Sequence, residues 1–170
     1  MAITEILPGI RYVGVNDRTS TLFEGLWSLR RGVTYNAYLV IGEKTALIDT
    51  VEEAFGSRLF RNIREEIGDR KIDYLVVNHM EPDHSSSIAA LRRLYPDLVI
   101  VGNAKTLQMV RGYYGIDAGT LEVRENDTLD LGGKTLTFQM IPMVHWPETM
   151  VTWCAETRTL FSGDAFGTFG

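Results

Sequence analysis

The sequence has a single cysteine, Cys154, in 170 residues. One thiol excludes an internal disulfide and any multi-cysteine zinc or iron–sulfur site, which leaves imidazoles and carboxylates as metal ligands. Cys154 itself is expected to be a small core residue. Positive charge is not in excess: the formal net charge is −5, with acidic and basic residues interspersed. The basic stripe that a phosphate backbone requires is missing, so nucleic acid is not an expected partner. No run approaches the roughly 20 apolar residues of a membrane span, and the start lacks the basic segment and apolar run of a secretory signal. The expectation is a cytoplasmic protein with no membrane partner. No repeat, linker or low-complexity segment divides the chain.

Apolar residues make up 45% of the sequence and charged residues 23%, the balance of a globular chain that can bury one real core. Short β-like runs at 10–15, 22–29 and 35–41 read as antiparallel strands, and 45–49 is a buried strand ending in Asp49. Phe55, Leu59, Ile63 and Ile67 fall four apart and predict an amphipathic helix that stops at Gly68. A second buried strand over 72–77 leads into a polar cluster, then a helical pattern through Ile88, Leu91 and Leu94. A strand at 98–101, a helix over 104–114, and strands at 128–130 and 135–141 flanking Gly132-Gly133 continue an α/β pattern. Tyr12, Trp27, Tyr35 and Phe60 are expected to be core aromatics.

Two of the chain's three histidines lie in Asn78-His79-Met80-Glu81-Pro82-Asp83-His84. Four potential metal donors occupy six consecutive positions of a strand-to-helix loop. In an extended loop, alternation sends His79, Glu81 and Asp83 to one side, and the bend at the helix start brings His84 alongside, so two adjacent metals can share the loop. Any one of these residues alone is better read as loop or cap, with Asp83 as a helix N-cap. The four together have the mixed imidazole and carboxylate spacing that metals require. His145, in His145-Trp146-Pro147-Glu148, and Asp164, in Gly163-Asp164, are a surface histidine and a turn aspartate when read singly. Both follow predicted strands, and ligands at strand carboxyl ends converge on one edge of a sheet. Asp49, Asn78 and Ser85 are candidate partners for the second nitrogens of ligating histidines. Gly163, Gly167 and Gly170 read as turn glycines, not a phosphate-binding loop.

The order His-x-Glu-x-Asp-His at 79–84, then His145 before Trp-Pro, then Asp164 after Gly resembles the diiron site of the flavodiiron proteins, the A-type flavoprotein or rubredoxin:oxygen oxidoreductase family. Tyr35-Asn36-Ala37-Tyr38-Leu39 and Ala46-Leu47-Ile48-Asp49-Thr50 resemble that family's opening strands. The resemblance implies a metallo-β-lactamase-like αββα sandwich over residues 1–170, as an N-terminal portion with mixed sheets flanked by helices. It implies two non-haem irons, one held by His79, Glu81 and His145, the other by Asp83 and His84, with Asp164 bridging. It further implies a histidine for the second iron, and a flavodoxin-like domain carrying FMN, from beyond Gly170. The implied activity is reduction of oxygen to water or of nitric oxide to nitrous oxide. Electrons would come from a flavin or a rubredoxin-like donor in a head-to-tail homodimer, where Trp146 can face the flavin. Where the commoner pattern of this fold has a second histidine, this sequence has Glu81, a hard anionic donor that moves the site from zinc hydrolysis toward iron. Two other readings stand beside this one: a zinc hydrolase of the same fold, and a non-catalytic metal-binding module completed by a partner chain.

Overall fold

The computed structural model describes residues 4–23 and 25–167. The chain opens with an antiparallel pair, β1 (Glu5–Leu7) and β2 (Ile10–Tyr12). It then leaves as a narrow ribbon, β3 (Val15–Asp17), β4 (Leu22–Phe23), β5 (Trp27–Ser28) and β6 (Val33–Tyr35), in which β3 pairs with β6 and β4 with β5. The expected strands at 10–15 and 22–29 are thus each broken. The first yields at Gly14, where a Cβ would stand 2.2 Å from the Tyr35 carbonyl oxygen. The second folds back on itself through Gly25, at φ +71°, a conformation that glycine adopts without strain. Trp27, expected in the core, lies on this hairpin and is 62% exposed. With only two residues a side, β4 and β5 are too short to cover Trp27, although Phe23 of β4 packs against the main core. Tyr35 is buried as expected, Tyr12 and Phe60 are half-buried, and Cys154 is fully buried.

The chain continues through β7 (Tyr38–Ile41), β8 (Thr45–Ile48), α1 (Gly56–Ile67), β9 (Tyr74–Val76), α2 (Pro82–Ser85), α3 (Ile88–Leu94), β10 (Val99–Gly102), α4 (Ala104–Tyr114) and β11 (Thr120–Glu122). Seven strands form one sheet in the order β1-β2-β7-β8-β9-β10-β11, with β8 to β11 parallel. The last four strands, β12 (Thr128–Asp130), β13 (Thr135–Met140), β14 (Met150–Cys154) and β15 (Thr159–Phe161), form a second, antiparallel sheet. Mixed sheets and helices of this arrangement are the α/β class that the sequence implies.

Alternation along the central strands explains the layering. Leu39, Leu47, Leu75 and Ile100 face the core shared with Leu59 and Ile63 of α1, Ile88 and Leu91 of α3 and Val110 of α4. Their neighbours Val40, Ala46, Ile48, Val76 and Val101 face the opposite way, onto Leu136, Phe138, Met150 and Cys154 of the second sheet. Both faces of the central strands β7 to β10 are covered, which is why these strands are almost continuously apolar. Each such Leu or Ile contributes about 1.5–3 kcal/mol on burial. α1 ends at Gly68, whose φ of +59° stops the helix where the sequence predicts.

Candidate metal centre

The parallel strands β8 and β9 pair Ile48 with Val76, so the residues after both strands emerge together at one end of the sheet. There the chain turns sharply at Asp49, at φ +56°. The backbone N–H of Asn78 donates to Asp49 Oδ1 at 2.7 Å. The residues after β9 are not extended. Pro82 starts a short helical turn in which Glu81, and not Asp83, is the N-cap residue, and it makes no side-chain cap bond. The strict alternation expected for this loop is therefore replaced by a bend. Proline at the first helical position fits its fixed φ and missing N–H, and the turn sets Asp83 and His84 beside Glu81 and His79. The His84 carbonyl accepts bonds from both the Thr50 N–H, at 2.8 Å, and its hydroxyl, at 2.7 Å.

The second sheet supplies the other two donors. His145 lies in the 141–149 connection between β13 and β14, and Asp164 in the turn after β15. All six residues singled out from the sequence converge on two donor sets. His79 Nε2, Glu81, His145 and Asp164 form one, and Asp83, His84 and Asp164 the other, with the donor atoms of each set within 4.8 Å of one another. In the first set, His79 Nε2 is 3.1 Å from Glu81 Oε2, 3.2 Å from His145 Nε2 and 3.6 Å from Asp164 Oδ2. His145 Nε2 is 2.9 Å from Glu81 Oε2 and 3.3 Å from Asp164 Oδ2. Ligand atoms about 2.1 Å from a shared ion stand about 3.0 Å apart at octahedral angles and about 3.4 Å apart at tetrahedral ones. The observed separations match those edges. In the second set, His84 Nε2 is 2.7 Å from Asp164 Oδ1 and 3.5 Å from Asp83 Oδ2. Asp83 Oδ1 is buried with no hydrogen-bond partner. An unpaired carboxylate oxygen in such a place is costly unless a cation meets it.

The protonation states report the same crowding. Burial raises the Asp83 carboxyl to about 6, although His84 opposes it. Burial would also raise Asp164, but the hydrogen bond and charge of His84, helped by His79 and His145, hold it down at about 2. Burial disfavours the cationic forms of His79 and His84, yet both are raised, His79 by its bonds to Glu148 and Glu81 and His84 by Asp164 and Asp49. Four protein groups competing for a few protons at one point is the condition a multivalent cation relieves.

The partners of the histidines differ in part from expectation. Asp49 Oδ2 does face His84 Nδ1, at 3.5 Å, an ion-pair distance longer than a good hydrogen bond. Asn78 and Ser85 do not serve the histidines. Asn78 ties the sheets together, its Nδ2 donating to the Phe161 carbonyl at 3.0 Å and its Oδ1 accepting from the Thr152 hydroxyl at 2.7 Å. Ser85 donates to the Met80 carbonyl. The acceptor for His79 Nδ1 is Glu148 Oε1, at 2.9 Å, a residue that no spacing rule singles out because its partner is 69 positions away. Trp146 is half-buried and meets the His79 ring edge-on, with centroids 5.3 Å apart. Gly163, at φ +55°, shapes the turn before Asp164; Gly170 lies outside the described residues.

Known proteins share this fold and much of this sequence. Residues 33–170 match the model of the ODP family beta lactamase. The chain is 39% identical over 169 residues to the nitric oxide reductase of Moorella thermoacetica and 38% identical over 168 residues to the rubredoxin-oxygen oxidoreductase of Megalodesulfovibrio gigas. In both cases the match covers 98% of this chain and 42% of the relative. The chain thus spans about two fifths of the length of these curated relatives. Among solved structures, the rubredoxin oxygen:oxidoreductase of Desulfovibrio gigas superposes with a TM-score of 0.93 at 37% identity, over 98% of this chain and 42% of that one. The flavodiiron protein of Giardia intestinalis does so with a TM-score of 0.92 at 33% identity, over 98% and 41%. Fold and sequence agree: the chain belongs to the ODP beta-lactamase family, within the flavodiiron branch of the metallo-β-lactamase-like fold.

Proposed function

We propose that this domain is the diiron centre of a reductase that converts oxygen to water or nitric oxide to nitrous oxide. The observation that carries the reading is the pair of donor sets joined through the two oxygens of Asp164. His79, Glu81 and His145 would hold one iron, Asp83 and His84 the other, and Asp164 both. When bound, the iron pair supplies electrons and open coordination positions for the gas. The protein's part is to fix the donors beforehand. His79, Glu81, Asp83 and His84 are buried, whereas the side chains of His145 and Asp164 are 55% and 40% exposed and form the side from which a small substrate arrives. Three carboxylates, Glu81, Asp83 and Asp164, favour a hard, highly charged ion over a soft one.

The second donor set has three members against four in the first. A further histidine from outside residues 1–170 would complete it, with a flavodoxin-like domain bringing FMN in the full protein, whose relatives are more than twice as long. The named activities of those relatives support oxygen or nitric oxide as substrate and a rubredoxin-like or flavin donor as partner. Trp146, at the rim beside His79, suits a position facing that flavin in a head-to-tail homodimer. Among the described residues no helix is long and apolar enough to cross a membrane, which is compatible with a place in the cytoplasm.

The test is anaerobic purification of the full natural protein from iron-supplied cells, followed by metal analysis and gas consumption with reduced flavin or rubredoxin. Two irons per chain and turnover of either gas are expected. Stoichiometric zinc without iron, together with ester or thioester hydrolysis, would overturn the reading in favour of a hydrolase. Ferrous titration of residues 1–170 alone should fill the His79 position more tightly than the His84 position, and two equal tight sites would contradict the proposed missing ligand.

A further inference from the structure

Glu148 is buried in the wall behind His79, and none of the donor sets contains it. Its Oε1 receives two hydrogen bonds, from His79 Nδ1 at 2.9 Å and from the Met80 backbone N–H at 2.9 Å. Its Oε2 is buried and has no hydrogen-bond partner. The backbone of Glu148 is held in turn: Asn103 Nδ2 donates to its carbonyl at 2.6 Å, while Asn103 Oδ1 caps α4 by accepting from the Thr106 N–H at 3.0 Å. The backbone of Glu148 is therefore anchored from α4, outside the metal-binding loop, and its carboxylate reaches across to meet His79 and Met80. The other two histidines are served differently. His84 Nδ1 has Asp49 at the longer distance of 3.5 Å, and His145 is exposed.

We infer that Glu148 is a positioning residue that locks His79 with its proton on Nδ1 and its Nε2 lone pair toward the first metal position, and lends that ligand additional negative charge. Because a carboxylate can only accept, His79 Nδ1 must be the donor, which leaves Nε2 free to ligate. Sharing that proton with a buried anion makes the imidazole a stronger donor and favours the higher charge on the metal it binds. The three histidines form a graded series, with His79 the most strongly supported, so the two metal positions differ in electronic character before any substrate arrives.

This inference rests on the proposed metal site and is tested in the full natural protein reconstituted anaerobically with ferrous iron enriched in 57Fe. Wild-type protein that takes up no iron would overturn the site itself. If wild-type protein loads two irons, Glu148→Ala should weaken one of them 10–100-fold, the range found for lost outer partners of ligating histidines. Glu148→Gln keeps an accepting oxygen but removes the charge. It should retain both irons, alter the Mössbauer parameters of one only, and raise the midpoint potential, by about 59 mV for each tenfold loss of ferric over ferrous preference. A purely structural role would lower the melting temperature and leave both irons spectroscopically unchanged. Wild-type affinity in a folded Glu148→Ala protein would overturn the inference. Should the alanine variant fail to fold, wild-type spectra and potential in Glu148→Gln would do the same.

Discussion

Asp164 presents one carboxylate oxygen to His84, at 2.7 Å, and the other to His145, at 3.3 Å. His84 sits on the large sheet's loop and His145 on the second sheet's, so one turn residue joins donors from both layers.

Asp164→Ala should therefore affect both metal positions together. The expected outcome is loss of the His84-side ion and at least a tenfold weaker His79-side ion, read by metal analysis and competitive titration. Loss confined to one position would show that Asp164 does not bridge.

Metal uptake should depend steeply on pH. Ligands bind metal only after shedding their protons, and Asp83 is raised to about 6, with His79 and His84 also raised. Affinity should fall as pH drops through 6, by about tenfold per unit for each proton displaced. The metal-free protein should show the opposite sign. Groups with raised folded-state values bind protons better when folded, so their stabilising contribution is present at low pH and declines as pH rises through those values. Melting curves with and without zinc or ferrous iron between pH 5 and 8 would display the two trends. A metal-induced gain in melting temperature that does not grow with pH would refute the competition.

Asn78→Ala would leave the Phe161 carbonyl and the Thr152 hydroxyl without their partner at a buried site. With about 1–3 kcal/mol for each buried group left unsatisfied, destabilisation of about 2–5 kcal/mol is expected in urea unfolding. Metal affinity should fall with it, because the same residue precedes His79. A loss below about 1 kcal/mol would mean that water replaces the side chain.

Asp17 gives a prediction away from the metals. Burial would raise its carboxyl, but hydrogen bonds from Ser20 and Thr19 hold it down at about 2. A lowered value stabilises the fold above the ordinary aspartate range and loses that contribution as pH falls from about 4 to about 2. Asp17→Ala should cost on the order of 1–2 kcal/mol at neutral pH and flatten the acid limb of the stability curve. An unchanged acid limb would assign acid sensitivity to other carboxylates.

The elements most legible in the sequence are those with local signals. The stripe of Leu59, Ile63 and Ile67, the stop at Gly68 and the Gly132-Gly133 turn all lie where the structure has them. The candidate metal loop stood out because four possible donors crowd into six positions, and His145 and Asp164, which the structure brings to it, because they follow strand ends. The exposure of Trp27 was not legible, since aromatic content and alternation do not reveal that so short a hairpin leaves it uncovered. The helical turn at Pro82–Ser85 was hidden by its length: four residues are too few for a periodic pattern. Glu148 was hidden for another reason. A Glu after His-Trp-Pro reads as a surface charge, and only the docking of two sheets reveals its burial against His79.

The distribution of the donors over two sheets also bears on synthesis. Residues 79–84 leave the ribosome well before residues 145 and 164, and N-terminal segments begin to fold first. If these donors hold metal as proposed, a nascent chain would present only the first four, without the carboxylate that closes both sets, and would hold an ion loosely. Firm capture would wait until the second sheet docks and the turn at Asp164 comes into place. Which metal is present in the cell at that later moment, and not which one meets the loop first, would then decide what the protein carries.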